Sequence, residues 1–133
     1  MIVVLDANAA VELVLKLPQA GPIRSAVSEA DYVTAPDLYV SEVANALWKY
    51  VRADVLTVEH ADQAAATTLQ FIDHFESSQI LQREALAVAH AHGHPVYDTL
   101  YAVLARRNSA VLVTKDKRLR ELATNLGIEV LTI

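Results

Sequence analysis

Short apolar runs alternate with helical segments along the whole chain, and this alternation limits the possible folds more than any other feature. The runs predict strands over 2–5, 32–35, 79–81, 110–114 and 129–131. The segments between them predict helices over 7–15, 23–30, 38–53, 58–76, 83–92, 98–107 and 117–126. Strands that alternate with helices are typical of a parallel sheet covered by helices. The pattern therefore predicts a three-layer α/β/α sandwich with a parallel sheet of four to five strands.

Glycine and proline mark the breaks between these segments. Pro18 and the pair Gly21-Pro22 are predicted to interrupt the first helical region, and Gly93 and Gly127 to end later helices. Three glycines and four prolines in 133 residues are too few for a turn-rich all-β fold or a disordered chain. We find no repeat and no linker, so residues 1–133 are predicted to form a single domain.

The composition excludes several classes of protein. The chain has no cysteine, which excludes disulfides, thiolate metal sites and a cysteine nucleophile, and fits a reducing compartment. No apolar run approaches the roughly 18–20 residues that span a bilayer. The first residues carry no basic region and no cleavage site of a signal peptide. The sequence therefore predicts a cytoplasmic protein without membrane association.

Four acidic residues stand at places where a carboxylate is conspicuous. Asp6 ends the first strand, and Asp116 lies two residues after the strand 110–114. Asp98 opens a predicted helix, and Glu42 lies near the start of another. In a parallel sheet the ligand crevice lies outside the carboxyl ends of the strands, which meet at one edge. We therefore expect these four carboxylates to converge.

A structural interpretation exists for each acid taken singly. Asp is a favoured N-cap, so Asp6, Asp98 and Asp116 would each suit a helix start. Glu42 would be an ordinary solvated glutamate at the border of an apolar helix face. The four together favour a site, because unpaired clustered carboxylates raise one another's pKa and destabilise the fold. Mg²⁺ or Mn²⁺ removes that cost, since both prefer oxygen ligands, and either can activate a water for attack on phosphorus.

The histidines and the basic residues of the chain carry weaker functional signals than the four acids. The run of His90, His92 and His94 straddles a predicted helix end, where histidine suits the helix dipole, so we do not assign it to a metal site. The net charge is −5, but all six bases after residue 105 lie within residues 106–120. Within this basic strip, Lys115, Lys117 and Arg118 bracket Asp116 and are candidate contacts to substrate phosphates; the alternative is a solvated helix face.

Four segments of the chain, in order, resemble the PIN-domain family, and in particular the VapC-type toxin ribonucleases of prokaryotic toxin–antitoxin pairs. They are VVLDANAAVELVL, PDLYVSEVANAL, VYDTLYAVLA and VLVTKDKRL, and they extend from residue 3 to residue 119. The acidic quartet of the family falls on Asp6, Glu42, Asp98 and Asp116. Asn8 and Thr114 match two supporting positions of the family.

The resemblance implies a sheet order of 3-2-1-4-5 and a single PIN-like nuclease domain. It implies a Mg²⁺- or Mn²⁺-dependent endoribonuclease that leaves a 5′-phosphate and a 3′-hydroxyl, with the quartet as both catalytic and metal-binding residues. It also implies a homodimer and a small cognate antitoxin that occupies the groove of the active site.

Three other interpretations remain open from the sequence. A receiver-like phosphoacceptor domain shares the length and fold class but needs an acceptor Asp after the third strand. A haloacid-dehalogenase-like phosphatase opens with Asp-x-Asp, whereas this chain has Asp6-Ala7-Asn8. A catalytically silent PIN scaffold that only binds a partner would not need the complete quartet.

Overall fold

The computed structural model describes residues 1–133 and contains four strands and seven helices. The strands are β1 (Ile2–Leu5), β2 (Tyr32–Pro36), β3 (His74–Glu76) and β4 (Val111–Val113). The helices are α1 (Ala7–Val14), α2 (Ala20–Glu29), α3 (Leu38–Arg52), α4 (Val58–Gln70), α5 (Ser78–His92), α6 (Val96–Asn108) and α7 (Lys117–Asn125). No helix combines the length and the hydrophobicity that crossing a bilayer requires.

The four strands form one parallel sheet in the order β3-β2-β1-β4. Val3 of β1 lies opposite Val33 on one side and Val111 on the other, so β1 is central. The predicted fifth strand is reduced to a parallel bridge between Leu112 and Val130 at the outer side of β4. The α/β sandwich and the order 3-2-1-4 are thus confirmed.

Two groups of helices cover the sheet. Helix α6 packs against β1, β2 and β4 and is flanked by α5 and α7, whereas α1 packs with α2, α3 and α4. The residues of β1 from Val3 to Leu5 have no exposed surface, as expected for a strand buried on both faces. The sheet therefore carries a continuous core and brings the carboxyl ends of its strands to one edge.

The third strand was predicted at the wrong place. Residues 79–81 lie in α5, because Leu81, Ala85 and Val88 are buried at helical spacing. The strand is His74–Glu76, within the segment predicted as the end of the helix 58–76, and it pairs with β2 from Thr34 to Pro36. Only three residues long and partly exposed, β3 lies at the edge of the sheet and lacks an apolar run that would reveal it.

The predicted break at Gly21-Pro22 is also wrong. Both residues lie in the first turn of α2, which begins at Ala20. Proline is tolerated there because the first backbone N–H groups of a helix have no partner within the helix. Gly93, in contrast, ends α5 in the left-handed conformation with φ 62°, as the sequence predicted.

Candidate active site

The four predicted carboxylates line one cavity at the carboxyl edge of the sheet. The cavity has a volume of about 340 Å³, and Asp6, Glu42, Asp98 and Asp116 all contribute to its wall. Each acid comes from a different segment: the end of β1, helix α3, the first turn of α6 and the turn after β4. The topology brings them together because β1 and β4 are parallel neighbours and helices α3 and α6 begin at the same edge.

Asp6 is the most buried of the four acids, with 7% of its surface exposed. It precedes α1 at the N-cap position, but its side chain makes no capping hydrogen bond. Its Oδ2 instead accepts a hydrogen bond of 2.6 Å from the Thr114 hydroxyl. Burial raises the pKa of Asp6 to about 7, a rise that Thr114 opposes and the charges of Glu42 and Asp98 increase. The capping interpretation therefore does not apply to Asp6.

The predicted supporting residues hold the turn that carries Asp116. The buried Thr114 hydroxyl donates to Asp6 and also accepts a hydrogen bond of 3.0 Å from the backbone N–H of Asp116. Asn8 Oδ1 accepts a hydrogen bond of 3.0 Å from the backbone N–H of Lys115. These bonds join the start of α1 to the end of β4, so they fix the position of Asp6 relative to Asp116.

Asp116 and Asp98 relate differently to their helices. Asp116 caps α7, since its Oδ1 accepts hydrogen bonds from the backbone N–H groups of Arg118 at 2.8 Å and Leu119 at 3.2 Å. Asp98 is the third residue of α6, whose N-cap is Pro95. Capping by Asp116 is thus compatible with a functional role, since its second carboxylate oxygen does not cap the helix.

Glu42 is oriented by a buried tyrosine. The Tyr101 hydroxyl donates a hydrogen bond of 2.7 Å to Glu42 Oε1, and Tyr101 is 1% exposed. Burial raises the pKa of Glu42; the Tyr101 hydrogen bond opposes this rise and the charge of Asp98 adds to it. Tyr101 lies one turn after Asp98 on α6, so one helix both contributes an acid and orients another.

Two basic side chains lie near Asp98. Burial and the charge of Asp116 raise the pKa of Asp98, while His94 and Arg118 act against the rise. His94 Nδ1 lies 3.6 Å from Asp98 Oδ2, and both ring nitrogens are buried without a hydrogen-bond partner. The sequence interpretation of His94 as a helix-end residue therefore missed its contact with the site.

Three further polar residues of the cavity were not predicted. Asn45, Lys49 and Tyr50 lie on α3, and Lys49 is the one basic residue of the cavity lining. They follow Glu42 by three, seven and eight residues, the spacing that repeats on one face of a helix. That spacing was the available signal, since a helix that presents Glu42 to a site presents these positions too.

The residues of the basic strip do not act as one group. The Lys115 ammonium pairs with Glu12, which is 3% exposed and also accepts a hydrogen bond of 2.8 Å from the backbone N–H of Gln19. Lys117 lines a separate open groove with Arg120. Arg118 is close enough to Asp98 to influence its pKa. Among the three candidates for phosphate contacts, Arg118 is thus the one beside the acidic cavity.

The carboxylate oxygens of the cavity are ligands of the type that suits a hard divalent cation, although in this structure the side chains are not arranged as metal ligands. The structure has no group of three or more Asp, Glu, His or Cys side chains close enough together to hold a metal ion. Four carboxylates nevertheless line the cavity with a single lysine, and burial, together with the repulsion between neighbouring carboxylates, raises the pKa of Asp6 and Asp98. A divalent cation would relieve this repulsion, and ligation requires the carboxylates to move closer together.

Comparisons with known proteins give consistent matches. The family model described as the PIN domain matches residues 3–125. Ribonuclease VapC3 of Pyrobaculum aerophilum is 32% identical over 123 residues, which are 91% of this chain and 94% of that protein. The crystal structure of PAE2754 from Pyrobaculum aerophilum aligns with a TM-score of 0.75 and 24% identity, covering 96% of this chain and 81% of that chain. The structural match supports the fold alone.

Proposed function

Because the chain belongs to the PIN-domain family, we propose that it is a metal-dependent endoribonuclease and the toxin of a type II toxin–antitoxin pair. It hydrolyses RNA phosphodiester bonds with a metal-activated water and leaves a 5′-phosphate and a 3′-hydroxyl. Membership of the PIN-domain family also disfavours a receiver-like or dehalogenase-like domain, since the family match covers nearly the whole chain.

One observation carries the proposal: carboxylates from four separate segments converge on one cavity with no compensating cluster of cations. Such an arrangement costs stability in the free protein, and burial of Asp6 adds to the cost. A fold that only needed helix caps would not require it, because Asn, Ser or Thr would cap without charge. The similarity to Ribonuclease VapC3 supports RNA as the substrate.

Residues in and beside the cavity have distinct roles in the proposed reaction. Asp6, Glu42, Asp98 and Asp116 would hold Mg²⁺ or Mn²⁺, which when bound polarises a phosphoryl oxygen and lowers the pKa of a water. Thr114 and Tyr101 keep the carboxylates of Asp6 and Glu42 in position. Lys49, on the wall of the cavity, attracts the phosphate that the acids alone would repel.

The proposed partners are RNA, a cognate antitoxin protein and a second copy of the chain in a homodimer. Support for protein partners comes from α3 and α4, which form a mostly apolar groove that includes Trp48 and Val58. Trp48 is 52% exposed and Val58 59% exposed, and large exposed apolar surfaces commonly mark interfaces. Light scattering at high micromolar concentration tests the homodimer, which a strict monomer would contradict.

Cleavage of RNA by purified protein tests the proposed activity. We expect cleavage with Mn²⁺ or Mg²⁺, none in excess chelator, and none with Asp6→Asn or Asp98→Asn. Asp54→Asn is the matched control, since Asp54 is exposed and outside the cavity, so the same loss of charge should leave cleavage intact. Equal cleavage by Asp6→Asn and wild type would contradict the assignment.

The catalytically silent scaffold remains the alternative, and one observation favours it. The carboxylates are not close enough in the structure to ligate a metal as they stand. A scaffold would bind its partner and cleave no RNA under any metal condition. The same assay therefore separates the two functions, provided that the wild-type protein is folded.

A further inference from the structure

A second cavity lies beside the acidic one at the same edge of the sheet. Its volume is about 380 Å³, and it is formed by the first two turns of α3, α5 and α6. Its lining includes Leu38, Ser78, Gln79, Gln82, Tyr97 and Leu100. None of the residues that line it is charged, in contrast to the acidic cavity.

Helices α3 and α6 contribute to both cavities, although with different residues. Leu38 and Glu42 are one turn apart on α3, a separation of roughly 5–6 Å between Cβ atoms. On α6, Tyr97 directly precedes Asp98. An RNA strand with a phosphodiester at the acids would therefore reach the second cavity with a neighbouring nucleotide.

The lining combines a mostly apolar surface with two exposed amide side chains, a combination that suits a planar base. Tyr97 is 66% exposed, so its ring is available for stacking. The exposed side chains of Gln79 and Gln82 each offer a hydrogen-bond acceptor and two donors. Proteins that read single-stranded RNA combine an aromatic surface with polar groups directed at the base edges.

We infer that this second cavity binds a base of single-stranded RNA next to the cleaved bond, with Tyr97 stacking on the base and Gln79 and Gln82 contacting its edge. The inference rests on the proposed ribonuclease function and adds a residue set that determines which bases are accepted. The uncharged lining favours a planar base over a phosphate, because a buried phosphate needs donors of positive charge.

Binding measured without cleavage tests the inference. Fluorescence anisotropy with labelled single-stranded oligoribonucleotides of each of the four bases, in excess chelator, separates base recognition from the reaction. We expect wild type to prefer some bases, and Tyr97→Ala to weaken binding of the preferred ones by about tenfold or more, the size of a lost stacking contact. Tyr97→Phe should retain the ring and the affinity.

Two controls make the result specific. Tyr32→Ala removes an exposed tyrosine at the first residue of β2, away from the carboxyl edge, and should leave affinity unchanged. The double substitution Gln79→Ala and Gln82→Ala should reduce discrimination among the four bases more than it reduces affinity. Light scattering of Tyr97→Ala checks for any change in oligomeric state.

Three outcomes are decisive. Equal affinities of Tyr97→Ala and wild type for all four bases would overturn the inference while leaving ribonuclease activity possible. Conversion of a dimer to a monomer by Tyr97→Ala would overturn it too, because the cavity would then be a contact between copies of the chain. Binding that depends on Tyr97 in a protein that cleaves no RNA would support the base site and contradict the proposed activity instead.

Discussion

Asp6 is buried in an environment that disfavours its charged form. The charges that act on it, Glu42 and Asp98, have the same sign, and its surface exposure is 7%. The resulting pKa of about 7 means that the free protein is stabilised by protonation of this residue. This is the physical signature expected of a residue retained for a ligand rather than for the fold.

Asp6→Asn is therefore predicted to stabilise the protein in the absence of metal. The folded-state pKa is raised from 3.8 to about 7, so wild-type stability falls as the pH rises through that window. At pH 8, above both pKa values, the removal of the charge should raise the free energy of unfolding by roughly 4 kcal/mol. Denaturant unfolding in chelator at pH 4 to 8 measures this, with Asp54→Asn as the control. A loss of stability at pH 8 would contradict the account.

Tyr101→Phe is predicted to affect the site more than the fold. It removes the hydrogen bond to Glu42 and should cost about 1–2 kcal/mol of stability. Tyr39→Phe is a matched control, since the buried Tyr39 hydroxyl donates a bond of 2.7 Å to the Thr68 carbonyl outside the cavity. Only Tyr101→Phe should lower the affinity for Mn²⁺ and the cleavage rate. If both variants changed the rate equally, the positioning role of Tyr101 would be wrong.

At the scale of single residues, the sequence identified the acids but not the residues that orient them. Asp6 and Asp116 follow strands, and strand ends predict an edge site without knowledge of packing. Tyr101 and Lys49 lie within helices, where their roles depend on which face of α6 or α3 meets the cavity. Helical spacing leads from Asp98 to Tyr101 and from Glu42 to Lys49, but only once it is known that both acids face the cavity.

Strand β3 shows what the sequence could not predict at the scale of elements. His74, Phe75 and Glu76 lack the apolar run of a buried strand, whereas Ile80-Leu81 has a short one. What makes β3 a strand is tertiary: its backbone pairs with β2, and Phe75 packs against Tyr39 with ring centroids 5.7 Å apart. The longer runs of β1 and β4 were predicted because burial on both faces requires continuous apolar residues.

The pair α5–α6 offers a test of an interaction between elements. Glu84 of α5 accepts hydrogen bonds from Arg106 at 2.6 Å and from Arg107 at 2.7 Å, both on α6. Burial alone would raise the pKa of Glu84, but the two guanidinium groups outweigh it and hold that pKa below its usual value. Because the pKa is lowered, the stabilisation is present above pH 4.5 and is lost as the pH falls.

Glu84→Gln is accordingly predicted to lower the free energy of unfolding at pH 7 by about 1 kcal/mol, with a smaller loss at pH 3. The partly exposed positions of both arginines keep the effect modest. Glu121→Gln, on the exposed face of α7, is the control for loss of a negative charge. A larger loss of unfolding free energy at pH 3 than at pH 7 would contradict this pairing.

For the whole molecule, the distribution of charge matters more than the net charge of −5. Arg106 and Arg107 are engaged by Glu84, and Lys115 by Glu12, so half of the basic strip has partners within the chain. Lys49, which the sequence did not indicate, lies in the cavity itself. The number of phosphates contacted should therefore be small, and affinity for generic RNA modest.

Neutralising Lys49 is predicted to weaken RNA binding for all sequences and to flatten its dependence on salt. Each lost phosphate contact lowers the slope of log affinity against log salt by about 0.7 for a single strand. Lys117→Gln is the control, because Lys117 lines a groove outside the cavity. Anisotropy between low and physiological salt measures both slopes. A change with Lys117→Gln but not with Lys49→Gln would place the RNA along α7.

The direct measurement of a metal site is thermal unfolding of wild type and Asp6→Asn in excess chelator and in excess Mn²⁺. A cation that binds only the folded state at a hundred times its Kd stabilises it by about 2.7 kcal/mol. We predict a higher midpoint with Mn²⁺ for wild type, and no such rise for Asp6→Asn, which is already relieved of its charge. Identical wild-type midpoints in chelator and in Mn²⁺ would contradict the claim that these four carboxylates form a metal-dependent active site.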